Sequence, residues 1–141
     1  VQLEKGSTAT SFDYRPYGTE LQLCQRYYEK SYNIDVAPAT LTNVSSRLAS
    51  NSTSFTAGVS TRNFLLGSSF SVTKRITPAV VFYDPTAGTI NTISAYSAGT
   101  QYTVSSYQSG GASSIGTFIT TSSSPSTSEA SIFHFTASAE L

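Results

Sequence analysis

AVVFYDPTAGTINTIS, residues 79–94, decides the fold class. Ala79 to Tyr83 is a short apolar run of β-branched and aromatic side chains, which pack well on a pleated surface. Asp84-Pro85-Thr86-Ala87-Gly88 follows as a turn: proline pre-sets φ, and glycine accepts the positive φ that closes such turns. Thr89 to Ser94 then returns to strand composition.

The same alternation of strand and breaker extends outward in both directions. Downstream, Gln101–Tyr107 is a strand joined to the preceding one through Ser97-Ala98-Gly99. Ser109–Ser114 is a Gly/Ser loop, Gly116–Thr121 a strand, and Ser122–Ser128 a Ser/Thr/Pro loop. Ala130–Ala139 is the final strand, with Phe133, Phe135 and Ala137 on one face and Ile132 and His134 on the other. Upstream, Ser69–Thr77 alternates as a strand with Phe70, Val72 and Ile76 on one face, and Pro78 breaks it. Phe64–Leu66 is a short apolar patch and Phe55–Arg62 a strand, while Asp35–Ser54 reads as loop or short irregular strand. Tyr27–Ile34 is a further strand. Only Glu20–Gln25 reads as helix, with Thr19 as its N-cap and Glu20 suited to the helix dipole. Residues 1–18 read as a linker or the end of an upstream module, and 19–141 as one domain. Eight or so short strands with turn signals roughly every ten residues, and no βαβ alternation, predict an all-β antiparallel sandwich, jelly-roll-like, with one short N-terminal helix.

Composition agrees and narrows the function. Ser and Thr fill about a third of the 141 positions, and charged residues only 11%, well under the ~25% of ordinary soluble domains. The surface is polar without being charged, as on extracellular adhesins, viral fibres and sugar-binding modules. All eight Lys and Arg lie between Lys5 and Arg75. From Ile76 onward the only charges are Asp84, Glu129 and Glu140, so no basic face runs across the chain to neutralise phosphates, and nucleic acid is set aside. One cysteine, Cys24, allows no intrachain disulfide and suits a reducing compartment during assembly. No apolar run approaches the ~20 residues that span a bilayer. A start at Val1 without Met reads as a piece of something longer.

Three stretches resemble one family. VQLEKGSTATSFDYRPYGTELQLCQRYYEKSY, residues 1–32, resembles a junction in phage and prophage tail-fibre (receptor-binding) proteins, where a VQLE-GS-AT-F strand closes one module and ELxLCQRYYEK opens the next. SVTKRITPAVVFYDPTAG, residues 71–88, is similar to that family's VxMRxTPxVxFY-P-G strand and turn. FHFTASAEL, residues 133–141, looks like its C-terminal end. These cover roughly 40% of the chain, in order, and ELQLCQRYY is the most specific. The resemblance implies a homotrimer of parallel subunits on a fibre axis, joined to upstream modules. It places the protein in the virion, assembled in the host bacterial cytoplasm. It further implies that residues 1–10 belong to the preceding module and that Leu141 is the native terminus. Lys74 departs from the pattern: it stands where an apolar residue is expected, so that position is either less buried or its charge snorkels.

Chemistry-bearing residues are sparse. His134, the one histidine, lies between two phenylalanines in a strand, and no G-x-S-x-G elbow accompanies it; it reads as a residue of the sheet surface or a subunit interface. Cys24 reads as a small buried hydrophobe behind Leu21 and Leu23. The carboxylates Asp13, Glu20, Glu29, Asp35, Asp84, Glu129 and Glu140 are scattered, where glycoside cleavage requires two about 5–10 Å apart. Asp84 belongs to its turn, Glu20 to its helix start, and Glu29 to a surface pair with Lys30 or Arg26. There is no Cys/His cluster and no calcium-loop motif, so no metal or cofactor is expected. Arg62 and Asn63 read as a solvated loop tip at a strand end.

Saccharides are held by aromatic faces and planar polar groups, and tyrosine supplies a stiff ring with one polar handle. Tyr96, Tyr102 and Tyr107 lie in the tract 89–130, which the resemblance leaves unmatched and which it implies is variable, near Asn91, Gln101 and Gln108, and these six are the candidate ligand residues; ordinary cross-strand packing is the other reading of each ring. Tyr27 and Tyr28, in the shared segment, read as structural. The expected function is non-enzymatic attachment to a host-surface polysaccharide, capsule or lipopolysaccharide. The alternatives are a trimerisation or capping domain of a fibre, or a virion decoration protein; a capsule depolymerase fragment is the third.

Overall fold

The computed structural model describes residues 5, 7–8, 14–51, 61–65, 68–96, 101–121 and 130–140. Among them one helix, α1 (Tyr17–Gln25), precedes nine strands. These are β1 (Tyr28–Lys30), β2 (Arg47–Asn51), β3 (Thr61–Leu65), β4 (Ser68–Ser69), β5 (Ala79–Tyr83), β6 (Thr92–Ala95), β7 (Gln101–Ser109), β8 (Ser114–Thr121) and β9 (Ser131–Ser138). Among the described residues every strand pairing is antiparallel and one short helix accompanies the strands, an all-β arrangement.

β9 organises the sheet. One edge pairs first with β1, from Tyr28↔Ser138 to Lys30↔Thr136, and then with β2, from Arg47↔Phe133 to Ala49↔Ser131. The other edge pairs with β5, from Ala79↔Ser138 to Tyr83↔His134, and then with β6, at Ser94↔Ile132 and Ala95↔Ser131. Each neighbour is thus one long strand interrupted beside the middle of β9. Residues 31–46 form one excursion and residues 84–91 the other. Beyond β9, the pairings β2–β3, β3–β8, β8–β7 and β7–β6 bring the path back to β9 through β6. Six strands therefore close a hydrogen-bonded circuit, which leaves no open edge along it. β4 extends the β3 edge of β8.

The sequence of β9, SIFHFTAS, explains its place. Phe133, Phe135 and Ala137 face the core with Ala49, Phe70, Val80, Phe82, Ile93, Ala95, Tyr102 and Ile115. Phe82 meets Phe133 edge-to-face at 5.7 Å and Tyr107 at 5.8 Å, and Phe70 meets Phe135 at 6.1 Å, the offset geometry that aromatic quadrupoles favour. The opposite face, Ile132, His134 and Thr136, is buried as well. The two excursions cover it: the Tyr32 ring stacks on His134 at 3.8 Å, and the backbone of Ala39 lies against Gly88.

Several local expectations change. α1 starts at Tyr17, with Pro16 and not Thr19 at the N-cap. The proline φ of −56° is already suitable, and its carbonyl accepts from the Thr19 and Glu20 amides at 3.0 and 3.2 Å. Cys24 is exposed, because α1 buries none of its residues. β1 ends at Lys30, since Ser31 turns its side chain inward to His134 and the first excursion begins. The stretch 69–77 is strand only at Ser69, the end of β4; Phe70 and Lys74 are buried in phase, but Ile76 is exposed where the backbone bends at 75–76. Within 35–54, read as loop or short irregular strand, the strand alternative holds at β2. The strand expected from Phe55 lies largely outside the described residues; β3 begins at Thr61. The loops expected at 97–99 and 122–128 also lie outside them.

The turn after β5 forms as expected. Gly88 has φ +68°, its amide donates to the Asp84 carbonyl at 2.8 Å, and the Thr86 amide donates to Asp84 Oδ1 at 2.8 Å. A Cβ on Gly88 would lie 2.6 Å from the Ala39 carbonyl oxygen. Gly88→Ala therefore combines a left-handed backbone with a backbone clash between the excursions. We expect a loss of at least about 1–3 kcal/mol from the backbone strain alone, measured as a lower denaturation midpoint with an unchanged slope.

Candidate functional site

Among the described residues three polar nodes lie inside the fold. The first is His134, fully buried. Ser31 Oγ lies 2.9 Å from Nδ1, and Oγ also accepts from the Phe135 amide at 2.9 Å. The Thr42 carbonyl, 2.9 Å from Nε2, can only accept, so Nε2 carries the proton; in the neutral ring Nδ1 is then bare and accepts from the Ser31 hydroxyl. The imidazole is neutral and saturated. A serine and a histidine in contact suggest a nucleophile and its base, but here the serine accepts from one strand and donates to the ring, and both side chains lie within the packed interior. The arrangement ties the first excursion to β9. It also moves His134 from the expected sheet surface to the interior, where the aromatic neighbours are Tyr32 and, 6.1 Å from Tyr32, Tyr83.

The second node is Asp84, also fully buried. Its Oδ1 accepts from Thr86 Oγ1 at 2.8 Å, from the Thr86 amide and from the Ser94 hydroxyl, while Oδ2 has no partner among the described residues. It joins the second excursion to β6.

The third is Lys74 with Glu29. Lys74 Nζ donates to Glu29 Oε2 at 2.5 Å, to the Gln25 carbonyl at 2.6 Å and to the Val72 carbonyl at 3.2 Å. Glu29 further accepts from the Ser71 amide and hydroxyl at 3.0–3.1 Å. Both side chains are buried. Glu29 is thus not the surface partner of Lys30 or Arg26, and Lys74 neither snorkels nor sits at the surface. Lys30 instead donates to the Val36 and Ile34 carbonyls.

The remaining described carboxylates stand apart. Glu20 meets Arg15 at 3.4 Å on the surface, and Asp35 and Glu140 are exposed. Asp13 and Glu129 lie outside the described residues.

The six candidate ligand residues separate. Tyr96 is 67% exposed, and Gln101 is exposed opposite Ser94 in the β6–β7 register. Both belong to the tip of that hairpin. Tyr102 is 2% exposed and belongs to the core, opposite Ile93, so its ring is not available to a ligand. Tyr107 is half-buried, and its hydroxyl accepts from the Val80 amide at 3.1 Å. Asn91 is exposed with φ +55°, and its backbone bonds Phe82 and Val104 at 2.8 Å each. Asn91 and Tyr107 line one shallow groove with Val80, Val81, Phe82 and Val104, at the far end of the hairpin from Tyr96. The side chain of Gln108 lies outside the described set, as do those of Arg62 and Asn63. Tyr27 and Tyr28, expected to be structural, are each 42% exposed. Composition and local spacing do not locate the three nodes, because their bonds join residues 10 (Asp84–Ser94), 45 (Glu29–Lys74) and 103 (Ser31–His134) positions apart.

Two measurements check the nodes. Lys74→Met alone strands a buried carboxylate and is expected to cost about 3–5 kcal/mol, whereas Lys74→Met with Glu29→Leu recovers most of it; urea denaturation of both variants reads the difference. Burial lowers the His134 pKa from the usual 6.5, with the Thr42 contact opposing it. The unfolded chain then binds the proton first as pH falls. Stability is complete above about pH 6.5 and declines below it, until the folded value is reached. Because His134 is the only histidine, midpoints measured from pH 8 to 5.5 should fall in the parent chain and stay flatter in His134→Gln. No family model, no curated protein and no solved structure matches this chain.

Proposed function

We propose that the chain is a glycan-binding module at the end of a phage tail fibre, attaching the virion to a host-surface polysaccharide without catalysis. In this reading the closed six-strand circuit is a flattened, jelly-roll-like sandwich, and three copies stand side by side on a fibre axis. The observation that carries it is the tip of the β6–β7 hairpin, where the exposed Tyr96 ring and the exposed Gln101 amide sit on a frame held by β9. A ring and a planar amide on a rigid strand pair suit the apolar and hydroxyl faces of a sugar. The charge-poor, hydroxyl-rich composition and the resemblance of residues 1–32, 71–88 and 133–141 support the same reading. Three weak sites on one stalk would give firm adhesion through effective concentration.

A second reading, a trimerisation or capping domain, has one observation in its favour. α1 buries none of its own residues, and its first residue Tyr17 and the preceding Tyr14 are 70% and 83% exposed, as for an element whose contact lies on another subunit or module. The two readings separate in one experiment. A binder, added as the isolated chain, blocks adsorption of the parent phage, and Tyr96→Ala with Gln101→Ala weakens binding to host polysaccharide at least about tenfold. A cap forms stable trimers and leaves adsorption unchanged. Release of reducing ends from purified capsule would overturn both in favour of a depolymerase.

A further inference from the structure

We infer a second ligand subsite, for the carboxylate of an acidic saccharide, formed by Arg26, Tyr27 and Arg75. It rests on the glycan-binding reading and lies on elements remote in sequence from the β6–β7 hairpin.

The two arginines come from segments 49 residues apart, and a backbone bond joins them: the Arg75 amide donates to the Arg26 carbonyl at 2.9 Å. The Arg75 guanidinium lies 5.8 Å from the centre of the Tyr27 ring, within the range of a cation–π contact. Both arginines are exposed, and among the described residues neither side chain has an ion-pair partner. Glu140 follows Ala139, whose amide bonds the Tyr27 carbonyl at 2.6 Å, yet it makes no ion pair with either.

What lies beneath the pair makes it a built surface. Lys74, next to Arg75, is bound to Glu29 and to the Gln25 carbonyl, and Ser71 is bound to Glu29. Residues 25–29 and 71–75 are thus riveted together from inside. A buried ion pair contributes little net stability compared with apolar packing, but it fixes geometry. Here the fixed geometry is that of Arg26, Tyr27 and Arg75. A planar guanidinium presents paired N–H donors that match a carboxylate, and the contact with the Tyr27 ring restrains where the exposed Arg75 side chain sits. The exposed part of Tyr27 offers the neighbouring apolar surface that a pyranose covers. A carboxylated sugar meets both. A nucleic acid would need a longer basic track than two residues provide.

The test uses the full chain with polysialic acid and hyaluronate, each alongside its carboxyl-reduced form. At least one acidic polymer should bind, its affinity should fall at least about tenfold on carboxyl reduction, and Arg26→Gln with Arg75→Gln should produce the same loss at an unchanged melting temperature. Equal binding of acidic and reduced polymers, no binding of either acidic polymer, or parent-like binding by the double variant would overturn the subsite. Host-cell binding, measured in parallel, separates the two proposals. Cell binding that persists undiminished in the double variant removes the subsite and leaves host attachment standing. Carboxylate-dependent binding without cell binding removes attachment and leaves the subsite.

Discussion

The structure depends on the burial of a single strand on both faces and both edges. β9 carries SIFHFTAS, in which aromatic and small residues on one face fill the core while the other face holds Ile132, His134 and Thr136. A strand at the edge of a sheet, or one with a wet face, does not demand much of its neighbours. A strand enclosed on every side does. Its two edges must be paired along their length, and its polar back must be covered by something that can satisfy an imidazole. The two excursions answer the second demand. They leave the flanking strands where His134 stands and cross above it, and Ser31, Tyr32 and Thr42 supply a donor, a ring and an acceptor.

This constraint accounts for the odd strand lengths. β1 has three residues and β6 four, too short to stand as independent strands, because each is half of a longer one broken by its excursion. It also accounts for the polar nodes. An excursion that leaves a sheet abandons its ladder bonds, and the exposed backbone must be re-bonded inside the protein. Asp84 does this for the second excursion through the Thr86 amide, and Ser31 for the first through the Phe135 amide. The buried Lys74–Glu29 pair serves the segment 70–78 in the same way, capturing the Ser71 amide and the Gln25 carbonyl where no strand partner exists.

The parts legible in the sequence are those with a local cause. The run Ala79–Tyr83, the turn at Asp84–Gly88, the strands around Gln101–Tyr107 and Gly116–Thr121, and the final strand are each set by composition and period within about ten residues. The rest fails where a distant residue decides. The pattern of 69–77 reads as a strand, and Phe70 and Lys74 do fall inside in phase, but the ladder ends at Ser69↔Ser114, where β8 begins, and the backbone then bonds the loop residues Ser113 and Ala112. Cys24 reads as buried because a helix flanked by leucines normally packs on something, whereas α1 lies at the border of its own chain. Tyr96, Tyr102 and Tyr107 are indistinguishable in sequence, yet one is exposed, one is core and one is half-buried. Strand phase separates them, and phase is fixed by the register against β6 and β8.

On the proposed glycan-binding reading, recognition resides where side chains have no packing to maintain. A residue on the closed circuit whose ring is spent on packing, such as Tyr102, cannot be exchanged without disturbing Ile93 and its neighbours across the sheet. Residues at the hairpin tip, or on the surface above an internally fastened segment, can change freely, because the bonds that hold their backbone lie below them. Tyr96 and Gln101 meet that condition through the β6–β7 and β6–β9 ladders, and Arg26 and Arg75 meet it through Lys74 and Glu29. Rigid backbone with side chains free of internal duties is what a binding surface requires, since ordering flexible groups on contact would consume the affinity that each weak site can supply.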